Sequence, residues 1–308
     1  MKKYLVSILT IIFPFSFGLA ATQTSLDSVS KTVVNSGSSK LNDSMHKTGM
    51  PEWLQRTDIG FGLEERNKPE YEINTIQPIY QNLLNTVFWQ GRVAYKGYNT
   101  TLNFGSGYRH LTPSENMMFG LNAFFDTALR YHHKRLGLGG EMFTRYATLR
   151  ANYYQAISGK TIVSNESGIQ TYEKALTGYD GSVETPMPFL PWVRFILTGY
   201  HWSGYLGDNI NGGKFSFRMT PWSNLEIEAG SGKDNATRWQ AFLTANWYLD
   251  RPAHIEYRIS DQLFSKQVFT PTDITKHRLE KVRRQNDIVV ERGTISASGG
   301  TFVIKRGT

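Results

Sequence analysis

Apolar and polar residues alternate along most of this chain with a period of two, in stretches of about ten residues separated by short polar turns. Trp239, Ala241, Leu243, Ala245 and Trp247 form one face of such a stretch; Gln240, Phe242, Thr244, Asn246 and Tyr248 form the other. The pattern begins with Ile59, Phe61 and Leu63 and continues more weakly through Tyr71, Ile73 and Thr75. It then passes to Val87–Tyr95, to Leu102–Arg109 and to Met117–Asp126. Further strands are predicted near 131–142, 145–157, 175–186, 191–203, 212–220, 223–230 and 237–248. The polar stretch 158–172 breaks the pattern and is expected to be the longest loop. Strands of this length with aromatics near both ends suit a thin lipid layer, with one face in hydrocarbon and the other in a polar interior. The fold class expected is all-β: a transmembrane antiparallel β-barrel of twelve strands, an even number that returns both barrel ends to one side. A soluble sandwich would also alternate, but it accounts less well for Trp and Tyr at strand ends.

Placing charges inside follows from cost. A Lys or Arg facing lipid at the bilayer midplane costs roughly 2–4 kcal/mol. Lys214 and Arg218 on one strand and Glu226 and Glu228 on the next are therefore assigned to the lumen, as is Arg109 on the polar face of its strand. After Tyr248 the texture changes, and Pro252 and Pro271 limit continuous ladders. The run TDITKHRLEKVRRQND from Thr272 has helical spacing, with Asp273 at its start and basic residues towards its end. A helix over 272–284 carrying Lys276, Arg278, Lys281 and Arg284 is too polar to stand alone, and a barrel lumen would supply the polar surroundings it needs. A C-terminal helix or linker in the pore is thus expected.

Composition fits this picture. Aromatics are 13% of the chain, Gly numbers 28 and Cys is absent, which favours β structure and removes disulfide and thiolate chemistry. Met1, Lys2 and Lys3, the apolar run from Tyr4 to Phe17 and the small residues Gly18, Leu19 and Ala20 read as a secretory signal peptide. Export makes nucleic acid an improbable counterpart of the formal net charge of +8, leaving anionic outer-membrane lipid and an acidic pore lining. The domain organisation expected is a signal peptide (1–20), a periplasmic tether (21–50), a barrel (51–249), a linker with the pore-threading segment (250–292) and a short surface-directed tail (293–308).

Enzyme chemistry finds little support. The seven histidines lack metal-ligand spacing, and His132 and His133, if in a strand, point to opposite faces. His201 beside Ser203 lacks an orienting acid, and GLGGE at 137–141 lacks the Lys-Ser or Lys-Thr of a phosphate loop. No cofactor, metal or catalytic residue is expected.

The segments PEWLQRTDIGFGL, FWQGRVAYKGYNTTLNFGSGYRHL, MMFGLNAFFDTAL, HHKRLGLGGEMFTRYATLRANYY, TGYDGSVETPMPFLP and LEKVRRQNDIVVER, in this order, resemble the β-domain of the inverse autotransporters, the intimin and invasin family. The resemblance covers roughly residues 51–292. It implies a twelve-stranded barrel with a periplasmic N-terminus, a linker that enters the pore from the last strand, and a C-terminal side at the cell surface of a Gram-negative bacterium. Asn122, Asp126, Arg135, Glu141, Asn152 and Asp180 match polar family positions and would serve structure. The chain departs from the family at Glu173-Lys174-Ala175-Leu176, where members often carry Glu-Arg-Pro-Ala. Neither an immunoglobulin-like passenger nor a LysM-like module is visible. The partners implied are outer-membrane lipid and lipopolysaccharide, the barrel-assembly machinery and periplasmic chaperones, with a host receptor only where a passenger exists. The function expected is a translocator and anchor; the rival is a small plugged pore or structural outer-membrane protein, and adhesion by the surface loops is a third reading.

Overall fold

The computed structural model describes residues 51–64, 68–97, 99–166, 169–296 and 301–307, so the signal peptide and tether expected over 1–50 lie outside the described residues. A single helical turn, α1 (Glu52–Gln55), leads into β1 (Thr57–Glu64). Gln77 donates to the Trp53 carbonyl at 2.6 Å, fixing this entry against the barrel edge. The wall continues with β2 (Glu70–Gln81), β3 (Asn85–Lys96), β4 (Asn99–Leu111), β5 (Met117–Ala128), β6 (His133–Thr144) and β7 (Thr148–Ala156). It resumes with β10 (Gly178–Met187), β11 (Leu190–Trp202), β12 (Ile210–Trp222), β13 (Leu225–Asp234) and β14 (Gln240–Tyr248). These twelve strands close into one antiparallel barrel, in which β14 pairs with β1 and β7 with β10. Closure leaves no ladder edge, the condition for a sheet to stand in lipid. The second strand is stronger than its sequence suggests, because β2 runs on past Thr75 and absorbs Pro78 at a register shift between Pro78 and Tyr80.

Side chains sort by parity. On β5, Phe119, Leu121, Ala123 and Phe125 face out while Gly120, Asn122, Phe124 and Asp126 are buried. Several inward glycines lie directly across from an inward aromatic. Gly105 pairs with Phe124 and Gly178 with Trp202, and each ring lies where a glycine Cβ would be: 2.4 Å from Phe124 Cδ1 and 2.4 Å from Trp202 Cε3. Flattened against the wall, the rings fill the space a side chain would take and leave the barrel axis to other residues.

Two expectations are corrected. The segment 158–172 is no plain loop: β8 (Thr161–Glu166) and β9 (Ile169–Ala175) form a hairpin. It joins β15 (Val290–Ser296) and β16 (Thr301–Gly307) in a separate sheet of order β16-β15-β9-β8. Its polar composition hid it, because β8 and much of β9 are at least partly exposed and show no apolar face. The helix expected over 272–284 shortens to a 3-10 turn, Ile274–His277, whose N-cap Asp273 accepts from the Thr275 amide at 3.1 Å. Beyond that turn the chain is irregular up to β15.

Candidate functional site: the occupied lumen

Residues 272–289 run through the barrel from one end to the other. At the end holding the start of β1 and the close of β14, the Thr272 amide donates to the Arg145 carbonyl in the β6–β7 turn at 2.8 Å. At the opposite end the Leu176 amide donates to the Val289 carbonyl at 2.9 Å, and Val290 pairs with Ala175 on β9. An extended chain advances about 3.3 Å per residue. A hydrophobic band of about 25 Å therefore needs fewer than half of these residues, so the segment has slack to bend towards the wall.

The wall supplies the hydrogen bonds that a helix would have made for itself. Arg109 Nη1 donates to the carbonyls of His277 at 3.1 Å, Arg278 at 3.1 Å and Glu280 at 2.5 Å. Arg135 donates to the carbonyls of Gln285 at 2.6 Å, Asn286 at 3.2 Å and Asp287 at 3.1 Å. The Val282 amide donates to Gln90 Oε1 and the Gln285 amide to the Tyr154 hydroxyl, each at 2.8 Å. Buried backbone groups must find partners. The Glu280 amide still reaches the His277 carbonyl at 3.0 Å, and beyond it the carbonyls of Arg278, Glu280, Gln285, Asn286 and Asp287 take arginine donors from the wall.

Charge pairing continues the pattern. Glu141 holds Arg109 Nη2 at 2.9 Å. Asp126 accepts from Arg135 Nε at 2.9 Å, from Asn103 at 2.8 Å and from Arg284 Nη1 at 2.8 Å. A second network gathers around Glu184, which takes Arg150 at 2.7 Å and Arg218 at 2.8 Å. Arg150 also reaches Glu280 at 3.2 Å, and Arg283 bridges Glu226 at 2.7 Å and Glu280 at 3.2 Å. Asp287, close to the far end, pairs with Arg92 at 3.4 Å and Lys96 at 3.7 Å. A buried charge pays a large desolvation cost unless paired, so these groups hold one another in place. Apolar contacts fill the remainder: Val282 packs with Ile76, Phe88 and Phe124, Ile274 with Leu111, Met118 and Phe143, and Val289 with Tyr154, Leu176 and Trp202.

The residues singled out from sequence are distributed as follows. Arg109, Asp126, Arg135, Glu141, Arg218 and Glu226 are buried in the interior. Asn122 and Asn152 lie over Gly139 from both sides, and Asn152 donates to Asp180 at 2.8 Å. Glu228 accepts from Ser216 at 2.6 Å and pairs with Arg218 at 3.5 Å. Lys214 is half-buried, with Nζ 5.7 Å from the Phe242 ring centre. Of the threading residues, Arg284 meets Asp126 and Lys281 meets Asp58, whereas Arg278 bends to the rim, donating to Thr86 at 3.0 Å and to the Asn85 carbonyl at 2.9 Å. Lys276 stays at the mouth with Glu256 and Asp273. Sequence reasoning did not single out Arg92, Arg150, Glu184, Glu280 and Asp287 as site residues. Parity reaches three of them, since Arg92 shares its face with Gln90, Arg150 with Asn152 and Glu184 with Asp180.

Among the described residues, the histidines and glycines weighed for catalysis are scattered. His132 sits in a turn at φ 56°, and His133 bonds Glu173 across to the hairpin at 3.2 Å. His201 stacks on Tyr179 at 5.0 Å on the outer wall, and Gly137–Glu141 lies within β6. Among the described residues no group of three or more His, Asp or Glu side chains is arranged to hold a metal ion.

Comparison with known proteins agrees with this architecture. The family described as "Inverse autotransporter, beta-domain" matches residues 16–286. Invasin from Yersinia enterocolitica is 25% identical over 289 residues, covering 89% of this chain and 32% of the invasin. The putative attaching and effacing protein homolog of Escherichia coli K12 is 28% identical over 56% of this chain and 54% of its own length. Intimin from Escherichia coli O127:H6 is 24% identical over 71% of this chain and 23% of the intimin. The chain thus spans between about a quarter and about half the length of these relatives. A solved chain from work on in-meso crystallization of membrane proteins shares the fold, with 20% identity and a TM-score of 0.62 over 77% of this chain and 99% of its own. The chain belongs to the inverse autotransporter β-domain family, and is a closed twelve-stranded barrel of a Gram-negative outer membrane.

Proposed function

We propose that the barrel holds its own C-terminal segment across the outer membrane, with the N-terminal side of β1 in the periplasm and β15 at the cell surface. The passage of residues 272–289 through the lumen carries this reading, because one covalent chain then joins the two sides. In this role Arg109, Asp126, Arg135, Glu141, Glu184, Arg218 and Glu226 are holders of the threaded chain. Whatever continues beyond the surface sheet would be anchored through it, and an adhesive passenger of the kind the family resemblance implies is the cargo this arrangement suits. The mechanism needs no nucleotide: folding of the exported portion outside would draw the chain forward, and side-chain pairing in the lumen would hold it once passage ends. Lipopolysaccharide and phospholipid would surround the outer face. Before closure the unpaired edges of β1 and β14 would need periplasmic chaperones and the barrel-assembly machinery.

The chain has no cysteine, which makes the test clean. Single cysteines replacing Asn165, Ser260 and Thr308 are treated on intact cells with an impermeant maleimide. Labelling at 165 and 308 with protection at 260 is the expected result. Protection at 308 with labelling at 165 reverses the tail topology and leaves a plugged pore, the reading that the occupied lumen also favours. Withdrawing 272–308 should open the lumen under either reading, so the labelling pattern rather than conductance separates them.

A further inference from the structure

The sheet at the far end joins parts of the chain more than a hundred residues apart, and three devices converge on one short stretch of it. First, β15 lies antiparallel on β9 from Val290–Ala175 to Ser296–Ile169. Second, the Glu291 carboxylate, 5% exposed, sits in a cradle of three consecutive amides of the β11–β12 loop: Tyr205 at 2.8 Å, Leu206 at 3.0 Å and Gly207 at 3.2 Å. The Tyr172 hydroxyl closes it at 3.2 Å. Third, Arg292 donates to Glu173, whose other oxygen meets His133 at the top of the barrel wall.

Each device reads something different. Pairing with β9 reads backbone alone and would take any extended chain, the mode by which a sheet edge accepts a peptide. The amide cradle reads a carboxylate, and Glu173 reads a cation one residue further on. A slip of one residue would turn every side chain to the wrong face. A slip of two would bring Val289 or Gly293 to the cradle and Val290 or Thr294 to Glu173, none of them charged. One register alone satisfies both groups.

We infer that the β8–β9 hairpin and the 205–207 cradle form an acceptor surface for an extended polypeptide leaving the lumen, and that Glu291 sets the register in which that polypeptide comes to rest. This rests on the translocation reading above. A two-stranded hairpin alone is marginal in water; arrival of the third strand orders β8 and β9 together and buries Glu291 against its cradle. Backward movement must undo the ladder and strip that carboxylate from its amides, so the same step that captures the chain makes its passage one-way.

The test uses the full chain with an epitope fused after Thr308 and two cysteine pairs. Thr171→Cys with Thr294→Cys lie opposite each other in this register; Thr171→Cys with Ser296→Cys are opposite only after a slip. Disulfide yield is read on intact cells, with the shifted gel mobility of the unheated barrel as the check on folding. The first pair is expected to cross-link and the second not. In Glu291→Ala the first yield should fall roughly tenfold or more, the factor set by one lost charge-assisted hydrogen bond, while the second rises; Glu291→Gln should lie between. A first-pair yield unchanged in Glu291→Ala, on cells whose epitope is reached by antibody, overturns the acceptor and leaves translocation standing. An epitope never reached from outside on folded barrels overturns translocation, and the acceptor with it.

Discussion

Arg109 Nη2 lies 2.9 Å from Glu141, fully shielded from solvent, and turns its other terminal nitrogen to three carbonyls of the threaded chain. One side chain thereby ties β4 to β6 and both to the segment that fills the barrel. Arg109→Ala removes one partner of a buried pair and leaves the Glu141 charge behind, a loss of about 3–5 kcal/mol in comparable cases. Unfolding in denaturant should show that drop. Arg109→Lys keeps the charge but not the fork, and should recover only part of it.

Arg284 and Asp126 meet deeper in the lumen, and their pairing predicts a leak. Asp126→Ala leaves Arg135 and Arg284 facing each other without their shared carboxylate, which frees the threaded chain at that level. Single-channel recordings should show frequent openings absent from the unaltered barrel. Lys276→Ala is the comparison. Its side chain is 45% exposed and its pairs with Glu256 and Asp273 lie at the mouth, where such bonds contribute about 0–1 kcal/mol. Quiet recordings from Asp126→Ala would show that the remaining contacts, among them those of Arg109 and Arg135 to the threaded carbonyls, hold the segment without this pair.

Two glycines separate the demands of the inner and outer walls. A Cβ at Gly105 would lie 2.4 Å from the Phe124 ring and 2.5 Å from the Ala123 carbonyl; a Cβ at Gly199 would meet nothing within 4 Å. Gly105→Ala should cost about 1–3 kcal/mol, the range for overpacking a filled interior. Gly199→Ala should be neutral or slightly stabilising, because alanine lowers the entropy of the unfolded chain. Folding yields into lipid vesicles, read by gel mobility across a urea series, would rank the two.

What could be read from the chain alone follows from which rule governed each part. The wall strands were legible because lipid outside and charge inside force parity on every residue, as along Met117–Ala128. Lumen residues such as Arg218 and Glu226 followed from the same rule. The threaded segment misled for a physical reason: its spacing is helical, but its carbonyls answer to Arg109 and Arg135, which lie 150 to 171 residues away in sequence. Local propensity carries no trace of such partners. The β8–β9 hairpin was hidden likewise, since its ladder partner β15 comes from the far end of the chain and neither strand shows an apolar face.

The same hairpin yields a pH prediction. Burial pushes the Glu173 carboxyl upward, but hydrogen bonds from His133 and Arg292 outweigh it and leave the group below the usual carboxylate range. A depressed folded value stabilises the ionised, docked state. That contribution is complete above the unfolded value of about 4.3, declines below it, and is gone once the pH has fallen through the folded value. Hydrogen exchange of the β9 and β15 amides should therefore be slow and level from neutral pH down to about 5, then gain an opening contribution as acidity increases, after correction for intrinsic rates. In Glu173→Gln the amide cannot ionise, so the corrected protection should be lower at neutral pH and should lose this acid step. A step of the same size in the glutamine variant would show that Glu173 is not its source.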